Sequence, residues 1–215
     1  MKNSDPFTSR VIENILHSIT TEQQLACVHS SFSLTFAMAE DFSSAIMNKN
    51  GEIIAQSSAL AVHLGAIPEI VAHVLKKFGT LDPEDIVIHN DPYAGGTHHS
   101  DISVIKPIYF EGQQVAIAIN RGHQVDMGGM SPACFAGDAS DVIQEGFILP
   151  ATKLYQKGKL IESVKEILLA NVRSKKEVWG DLQAQLAACL AAERGMIRLM
   201  EKYDIEQVSE VTKEI

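Results

Sequence analysis

The feature that most constrains the fold is a predicted β-hairpin near the middle of the chain. Residues 101–110 and 113–120 are rich in β-branched and other apolar residues, and Glu111-Gly112 between them fits a two-residue turn. Pairing about that turn places residue 101 opposite residue 122, at the open end of the hairpin. We therefore expect this hairpin in an antiparallel sheet, with its open end beside two groups of polar residues.

Those polar groups contain the donors of a candidate metal site. Residues 90–101 include two His and two Asp, and residues 121–129 include His123 and Asp126. The hairpin brings Asp101 and His123 near one another. Neutral imidazole and carboxylate are ligand types that hold Mn, Fe or Zn. The alternative is that these are ordinary polar loop residues at the end of a sheet.

Spacing alone does not choose between His98 and His99 as the second imidazole. A regular strand would place His99 and Asp101 on one face and His98 on the other. His98 and Asp101 can share a target only if Gly95-Gly96 curls into a turn. Both histidines therefore remain candidates at this point.

The remaining patterns predict an α+β fold, in which a mainly antiparallel sheet with covering helices is followed by a C-terminal helical segment. The boundaries follow from proline and glycine positions and from apolar periodicity. The predicted elements are a helix from Asp5-Pro6 to about residue 26, a hairpin at 41–58, a helix from Pro68 to Gly79, a strand at 85–91 and a long, functional loop at 127–150.

Residues from about 161 to 204 predict helices. Ser174 to Glu177 has the pattern of a capping box that opens a long helix, although Gly180 and Gly195 leave its continuity open. We expect one apolar face of this helix to be buried, either on its own chain or on a partner, and the second case predicts a homo-oligomer. We call this face the helical stripe; it comprises Val178, Leu182, Leu186, Cys189, Met196 and Met200. The predicted domains are an α+β metal-site domain at 1–150 and a helical segment at 151–215.

Composition excludes several classes of function. A net charge of −9 and a pI near 5.3 disfavour a nucleic-acid partner. No run approaches the roughly 20 apolar residues of a membrane span, and the first residues lack a signal-peptide core. The three cysteines are widely spaced and fit free thiols in a reducing cytoplasm. A nucleophilic Cys134 is conceivable, but an incidental thiol is the favoured interpretation.

Long motifs in this sequence strongly resemble the hydantoinase B/oxoprolinase family. That family includes the B subunit of N-methylhydantoinase, the C-terminal part of 5-oxoprolinase and the metal-bearing subunit of acetone carboxylase. The likeness extends from about Pro6 to about Tyr203, and members are usually longer, so the resemblance implies their N-terminal portion. The motifs are residues 40–43, NDPYAGGTHHSDISVIKPIYF, RGHQVDMGG, ASDVIQEGFILPATKLYQKGK and NVRSKKEVWGDLQAQLAA.

The resemblance also implies a ligand set and a partner. In the acetone carboxylase branch a Glu, a His, an Asp three residues later and a second His hold the metal. These match Glu40, His98, Asp101 and His123. Asp41 and Asp126 are candidate catalytic residues, as a general base or as groups that orient the imidazoles. The chain has no phosphate-binding loop and therefore no cofactor-binding residues of its own, so the resemblance implies that ATP is used by a separate hydantoinase A-type subunit.

The leading interpretation is therefore a metal-binding catalytic portion of a B-type subunit in an ATP-dependent cyclic amide hydrolase. Its divalent ion would be Mn, Zn or Fe. One alternative is an ATP-dependent ketone carboxylase subunit of the acetone carboxylase type, acting on a ketone-derived substrate. Another, from a different class, is a truncated and non-catalytic interaction domain. The sequence predicts the site but does not separate these functions.

Overall fold

The fold is built on one antiparallel sheet. The structure is a computed structural model, which describes residues 5–57, 59–132 and 135–213. Cys134 lies outside these residues. The described strands follow the order β2-β1-β5-β4-β3-β6-β7, and every neighbouring pair is antiparallel. Their bounds are β1 Phe42–Asn48, β2 Ile53–Gln56, β3 Ile86–His89, β4 Asp101–Phe110, β5 Gln113–His123, β6 Thr152–Gln156 and β7 Lys159–Leu160.

Helices cover both faces of this sheet, which confirms the predicted α+β class. Every segment expected to be helical is helical, and the helix from Pro6 extends four residues beyond the predicted end. The bounds are α1 Pro6–Ser30, α2 Leu34–Ala37, α3 Ile67–Phe78, α4 Val142–Glu145, α5 Glu162–Ala170, α6 Lys175–Tyr203 and α7 Ile205–Thr212, with a 3-10 helix at Ala61–Ala66. Among the described helices, none combines the length and the apolar character that a bilayer crossing requires.

The predicted register of the central hairpin is wrong by one residue. Asp101 pairs with His123 rather than with residue 122. The cause is a β-bulge: Ile108 faces Ala116 but Tyr109 faces Gln114, so β5 contains one extra residue. Directly paired residues of an antiparallel ladder point to the same face of the sheet. The bulge therefore turns the side chains of Asp101 and His123 to one side.

Two apolar cores flank the sheet. Side chains of α1 and α6, including Leu16 and Met196, pack on one face against Val104 of β4. On the other face, α3 packs Ile70 and Val74 against the strands. The sheet is thus held from both sides, and its central strands β4 and β5 are rigid supports for residues at their ends.

The helical stripe is buried within the same chain. Val178, Cys189 and Met196 have no exposed surface, and Leu186 packs at the edge of the core. Long helix α6 contacts α1, β4 and β5. The stripe therefore gives no support to the predicted oligomer. Strands β6 and β7, which follow residue 150, belong to the same sheet, and the division of the chain at that residue stays a prediction.

The start of α6 is capped differently from the prediction. The Ser174 side chain makes no capping hydrogen bond. Instead, the Asp126 carboxylate accepts the backbone N–H groups of Arg173 and Ser174. A carboxylate from a distant loop thus binds the backbone just before the helix begins, and it fixes that loop to α6.

Helix α6 is continuous from Lys175 to Tyr203, and two glycines within it allow other parts of the chain to pack closely against it. A Cβ atom at Gly195 would lie 2.7 Å from the Cγ2 atom of Ile19 in α1. At Gly180 it would lie 2.2 Å from the ring of Phe32. Both positions require glycine for packing, and the helix tolerates their low helix propensity because so much of it is buried.

We predict that Gly195→Ala lowers the stability of the chain. Helix propensity alone would favour alanine by about 1 kcal/mol, but overpacking against Ile19 costs about 1–3 kcal/mol. Urea denaturation should therefore show a lower free energy of unfolding. Gly65→Ala is the control, since no atom lies within 4 Å of its added Cβ. A stabilised Gly195→Ala variant would contradict the close packing of α1 on α6.

Candidate metal centre

The ends of β4 and β5 position two of the predicted ligands. Asp101 is the first residue of β4 and His123 is the last residue of β5, and the two are paired. The backbone of His123 is fixed further because its N–H donates to the carbonyl of Asp41, at 2.9 Å. Two central strands therefore fix the separation of these side chains.

His98 reaches the same place because the loop before β4 curls, as the sequence required. The N–H of Gly96 donates to the Asp91 carbonyl at 3.0 Å, and that of Asp101 donates to the His98 carbonyl at 3.1 Å. A Cβ atom at Gly95, whose φ is +92°, would lie 2.8 Å from the backbone nitrogen of Ile70. Only glycine fits there, and the turn brings His98 onto the same side as Asp101.

His98, Asp101 and His123 form a three-donor cluster, which we call the triad. One ligand atom from each lies within 4.8 Å of the others. The His123 Nδ1 atom is 3.1 Å, and the His98 Nδ1 atom 3.8 Å, from Oδ1 of Asp101. The two imidazole rings stack with centroids 5.1 Å apart. Two imidazoles and one carboxylate fit the donor preference of Zn, Mn or Fe.

The other oxygen of Asp101 has different partners. Oδ2 accepts a hydrogen bond from Nη2 of Arg121 at 3.0 Å and lies 3.5 Å from Nδ1 of His63. Arg121 has no exposed surface, and its Nη2 also donates to Oγ1 of Thr97 at 2.6 Å. His63 is itself buried and links Asp101 to Asp41. The Nε2 atom of His63 is 2.9 Å from the Oδ1 atom of Asp41. The triad thus rests on a buried network of charged and polar groups.

These contacts determine the charge of Asp101 and His63. Burial would raise the pKa of the Asp101 carboxyl, but His123, His63, His98 and Arg121 together hold that pKa well below its usual range. Burial would lower the pKa of His63, but hydrogen bonds to Asp101 and Asp41 raise it overall. These partners therefore favour the ionised form of Asp101, which is the form that binds a metal.

Glu40 lies outside the cluster of His98, Asp101 and His123, and its role as a metal ligand stays a prediction. It adopts a φ of 48° just before β1, and its Oε2 accepts a hydrogen bond from Gln24 of α1 at 2.6 Å. Asp41, its neighbour, contacts the network through His63. The structure therefore brings together three of the four predicted ligands and places Asp41, rather than Glu40, in contact with their surroundings.

His99 and Asp126 lie in other environments. His99 is buried, with Nδ1 3.9 Å from Oε2 of Glu145, so the curl of the loop turns His98 and not His99 toward Asp101. The Asp126 carboxylate accepts hydrogen bonds from Arg173 and Ser174. The observed role of Asp126 is to anchor α6, and its catalytic role stays a prediction.

His63 and Arg121 were not predicted as site residues from the sequence. His63 lies in an apolar segment, and no local pattern marks it as part of a site. Arg121 carried a usable signal: strand alternation places it on the same face as His123, and an arginine inside a buried strand needs a partner. Asp101 is that partner.

Comparison with known proteins identifies related chains. Residues 5–215 match the family model described as Hydantoinase B/oxoprolinase. The caprolactamase subunit beta of Pseudomonas jessenii is 34% identical over 209 residues, covering 97% of this chain and 36% of that subunit. The 5-oxoprolinase of Dictyostelium discoideum is 27% identical over 205 residues, covering 95% of this chain and 16% of that protein.

Solved structures agree with these matches. The crystal structure of ATP-dependent caprolactamase from Pseudomonas jessenii superposes with a TM-score of 0.94 at 33% identity, covering 99% of this chain and 37% of that one. The nucleotide-free structure of acetone carboxylase superposes with a TM-score of 0.91 at 18% identity, covering 99% and 28%. The second likeness shows a shared fold. This chain spans little more than a third of the caprolactamase subunit.

We predict that Asp101→Ala destabilises the metal-free protein strongly. Removing the carboxylate leaves the buried guanidinium of Arg121 without its counter-charge, which costs about 3–5 kcal/mol. Urea denaturation in excess chelator measures this loss without a metal contribution. His98→Ala is the control, because His98 is partly exposed and its removal leaves the buried carboxylate of Asp101 with Arg121 and His123 as partners; its loss should be below about 1 kcal/mol. Equal losses for the two variants would contradict the pairing of Asp101 with Arg121.

Proposed function

This chain belongs to the hydantoinase B/oxoprolinase family, and from that membership we propose that it is the metal-binding catalytic portion of a B-type subunit. The enzyme we propose is an ATP-dependent cyclic amide hydrolase. Its site is the triad at the ends of β4 and β5. The observation that carries this proposal is the convergence of His98, Asp101 and His123 on one space, in a chain 34% identical to a caprolactamase subunit.

The donor set matches a site that performs chemistry better than a purely structural one. Structural zinc sites have four protein ligands, whereas catalytic sites have three and keep a further position open. His98 has a partly exposed side chain, so the triad is reachable from solvent. A divalent ion held by the triad would polarise a carbonyl group and lower the pKa of water. The site thus suits attack on an activated amide.

The chain's own residues would orient the site and move protons. The imidazoles of His98 and His123 present nitrogen donors, and Asp101 supplies the single negative charge. Asp41 lies at the edge of this network, in contact with His63, with about a third of its side chain exposed. We assign Asp41 as the candidate general base, because a partly exposed carboxylate can both accept a proton and release it to solvent.

ATP would be used by a second polypeptide. The sequence has no phosphate-binding loop, so we assign phosphorylation of the substrate to a hydantoinase A-type subunit. The activated cyclic amide would then reach the triad of this chain. We place the assembled enzyme in the cytoplasm, in agreement with the free thiols of Cys27 and Cys189.

Cyclic amide hydrolysis is favoured over ketone carboxylation by sequence similarity. The caprolactamase match reaches 34% identity, whereas acetone carboxylase shares 18% and therefore only the fold. A non-catalytic interaction domain is disfavoured by the triad itself, since such a domain has no reason to keep two imidazoles against a buried carboxylate. The experiments below distinguish a metal-dependent hydrolase from a non-catalytic interaction domain.

The triad predicts one tightly bound divalent ion per chain. Zinc titration followed by calorimetry should give a stoichiometry near one, and His98→Ala or His123→Ala should weaken binding by at least about 100-fold, since each removes one of three ligands. His99→Gln is the matched control and should bind as the unaltered chain does. Glu40→Gln tests the ligand implied by resemblance: weaker binding would add Glu40 to the triad, and unchanged binding would exclude it. Loss of binding in His99→Gln but not in His98→Ala would overturn the assignment.

Activity should require the A-type subunit. The purified chain should not hydrolyse ATP, and it should not open hydantoin or 5-oxoproline when ATP is added. Turnover should appear when an A-type subunit, and any further B-type polypeptide that the complex needs, is supplied. His123→Ala should abolish that turnover, whereas His29→Ala, an exposed histidine in α1, should not. ATP hydrolysis by this chain alone, removed by His123→Ala, would contradict the division of labour.

A further inference from the structure

The two oxygens of Asp101 are divided between two sets of partners. Oδ1 faces the imidazoles of His98 and His123. Oδ2 faces Arg121 and His63. We infer that Arg121 is a positioning residue, which holds Oδ2 so that Asp101 offers a divalent ion only Oδ1. This inference rests on the proposed metal site and adds to it how the carboxylate binds.

Electrostatics explain why only one oxygen is available. An ion shared between both oxygens of Asp101 would approach the guanidinium of Arg121, which is 3.0 Å from Oδ2. The positive charges of the ion and of the guanidinium would then lie close together and repel strongly inside the protein. An ion on Oδ1 alone would instead face the ring nitrogens of His98 and His123. The guanidinium therefore directs the ion toward the triad and prevents the carboxylate from binding through both oxygens.

The hydrogen bonding of buried Arg121 favours a role in positioning Asp101 over a role in stabilising the fold. Its side chain is fully buried on β5, and its Nε and Nη1 atoms have no hydrogen-bond partner among the residues that the structure describes. A buried donor without a partner costs about 1–3 kcal/mol, and an apolar residue of similar size would avoid that cost. Only Nη2 is engaged, by Asp101 and Thr97. The hydrogen bonds of the Arg121 side chain are thus made by Nη2, the atom that orients the carboxylate of Asp101.

The consequence is an ion that keeps most of its charge and several open positions. Asp101 supplies the only negative charge of the triad, and Arg121 offsets it. Binding through one oxygen leaves one more position free than binding through two. Both effects favour an additional anionic or strongly polar ligand, such as the activated carbonyl group of a substrate.

Arg121→Lys tests the inference because it keeps the positive charge and removes the Nη2 group that joins Oδ2 of Asp101 to Thr97. Zinc affinity of the full chain is measured by competition with a chromophoric chelator. We expect a 10- to 100-fold loss, the range typical of groups that orient metal ligands. The visible spectrum of the cobalt-loaded variant should also differ from that of the unaltered chain, because the carboxylate changes its mode of binding. Loss of stability alone would not alter that spectrum.

Two further variants keep the test decisive. Thr97→Val removes an acceptor of Arg121 at an exposed position and should give a smaller loss of affinity in the same direction, even if Arg121→Lys does not fold. Lys106→Met removes another buried cation, paired with Glu193 at the opposite face of the sheet, and should leave zinc affinity and the cobalt spectrum unchanged.

The outcomes distinguish this inference from the proposed function. Unchanged zinc affinity and cobalt spectrum in both Arg121→Lys and Thr97→Val would overturn the positioning role while leaving the metal site intact. An equal loss in Lys106→Met would also overturn it, since the effect would then follow from burial of any cation. Failure of the unaltered chain to bind zinc or cobalt would overturn the metal site and the positioning role together.

Discussion

The pairing of β4 with β5 is the constraint on which the site depends. A bulge near the closed end of this hairpin shifts the register by one residue, so that Asp101 faces His123. Side chains alternate between the faces of a strand, so a one-residue slip would turn the predicted ligands to opposite sides. The extra residue lies far from the triad along both strands, yet it decides which side chains meet there.

Helix α6 supports the same strands from the opposite face. Gln185 is fully buried, and its Nε2 donates to the Ile102 carbonyl at 2.8 Å, while its Oε1 accepts from Gln124 at 2.9 Å. Gln185 thereby links α6 to the backbone of β4 and to the residue that follows β5. Close approach of α1 at Gly195 lets α6 lie against these strands. The long helix and the triad are therefore parts of one arrangement.

The sequence predicted local elements well and long-range details less well. Glu111-Gly112 located the central hairpin, and Gly95-Gly96 located the loop that turns His98 inward, because turn chemistry is local. The bulge was missed because no residue type marks it. His63 was missed because its role comes from two carboxylates distant in the sequence, Asp41 and Asp101. Glu40 was implied as a ligand by resemblance alone and stays a predicted one; its hydrogen bond from Gln24 is a tertiary contact that no local pattern reveals.

X-ray absorption at the zinc edge of the metal-loaded chain tests the central claim most directly. The triad predicts scattering from two imidazole nitrogens and one carboxylate oxygen, all at roughly 2.0–2.2 Å. Substituting His98 should remove one imidazole from the spectrum, and substituting His99 should leave it unchanged. A spectrum without imidazole scattering, or one dominated by sulfur at about 2.3 Å, would contradict a metal centre built on His98, Asp101 and His123.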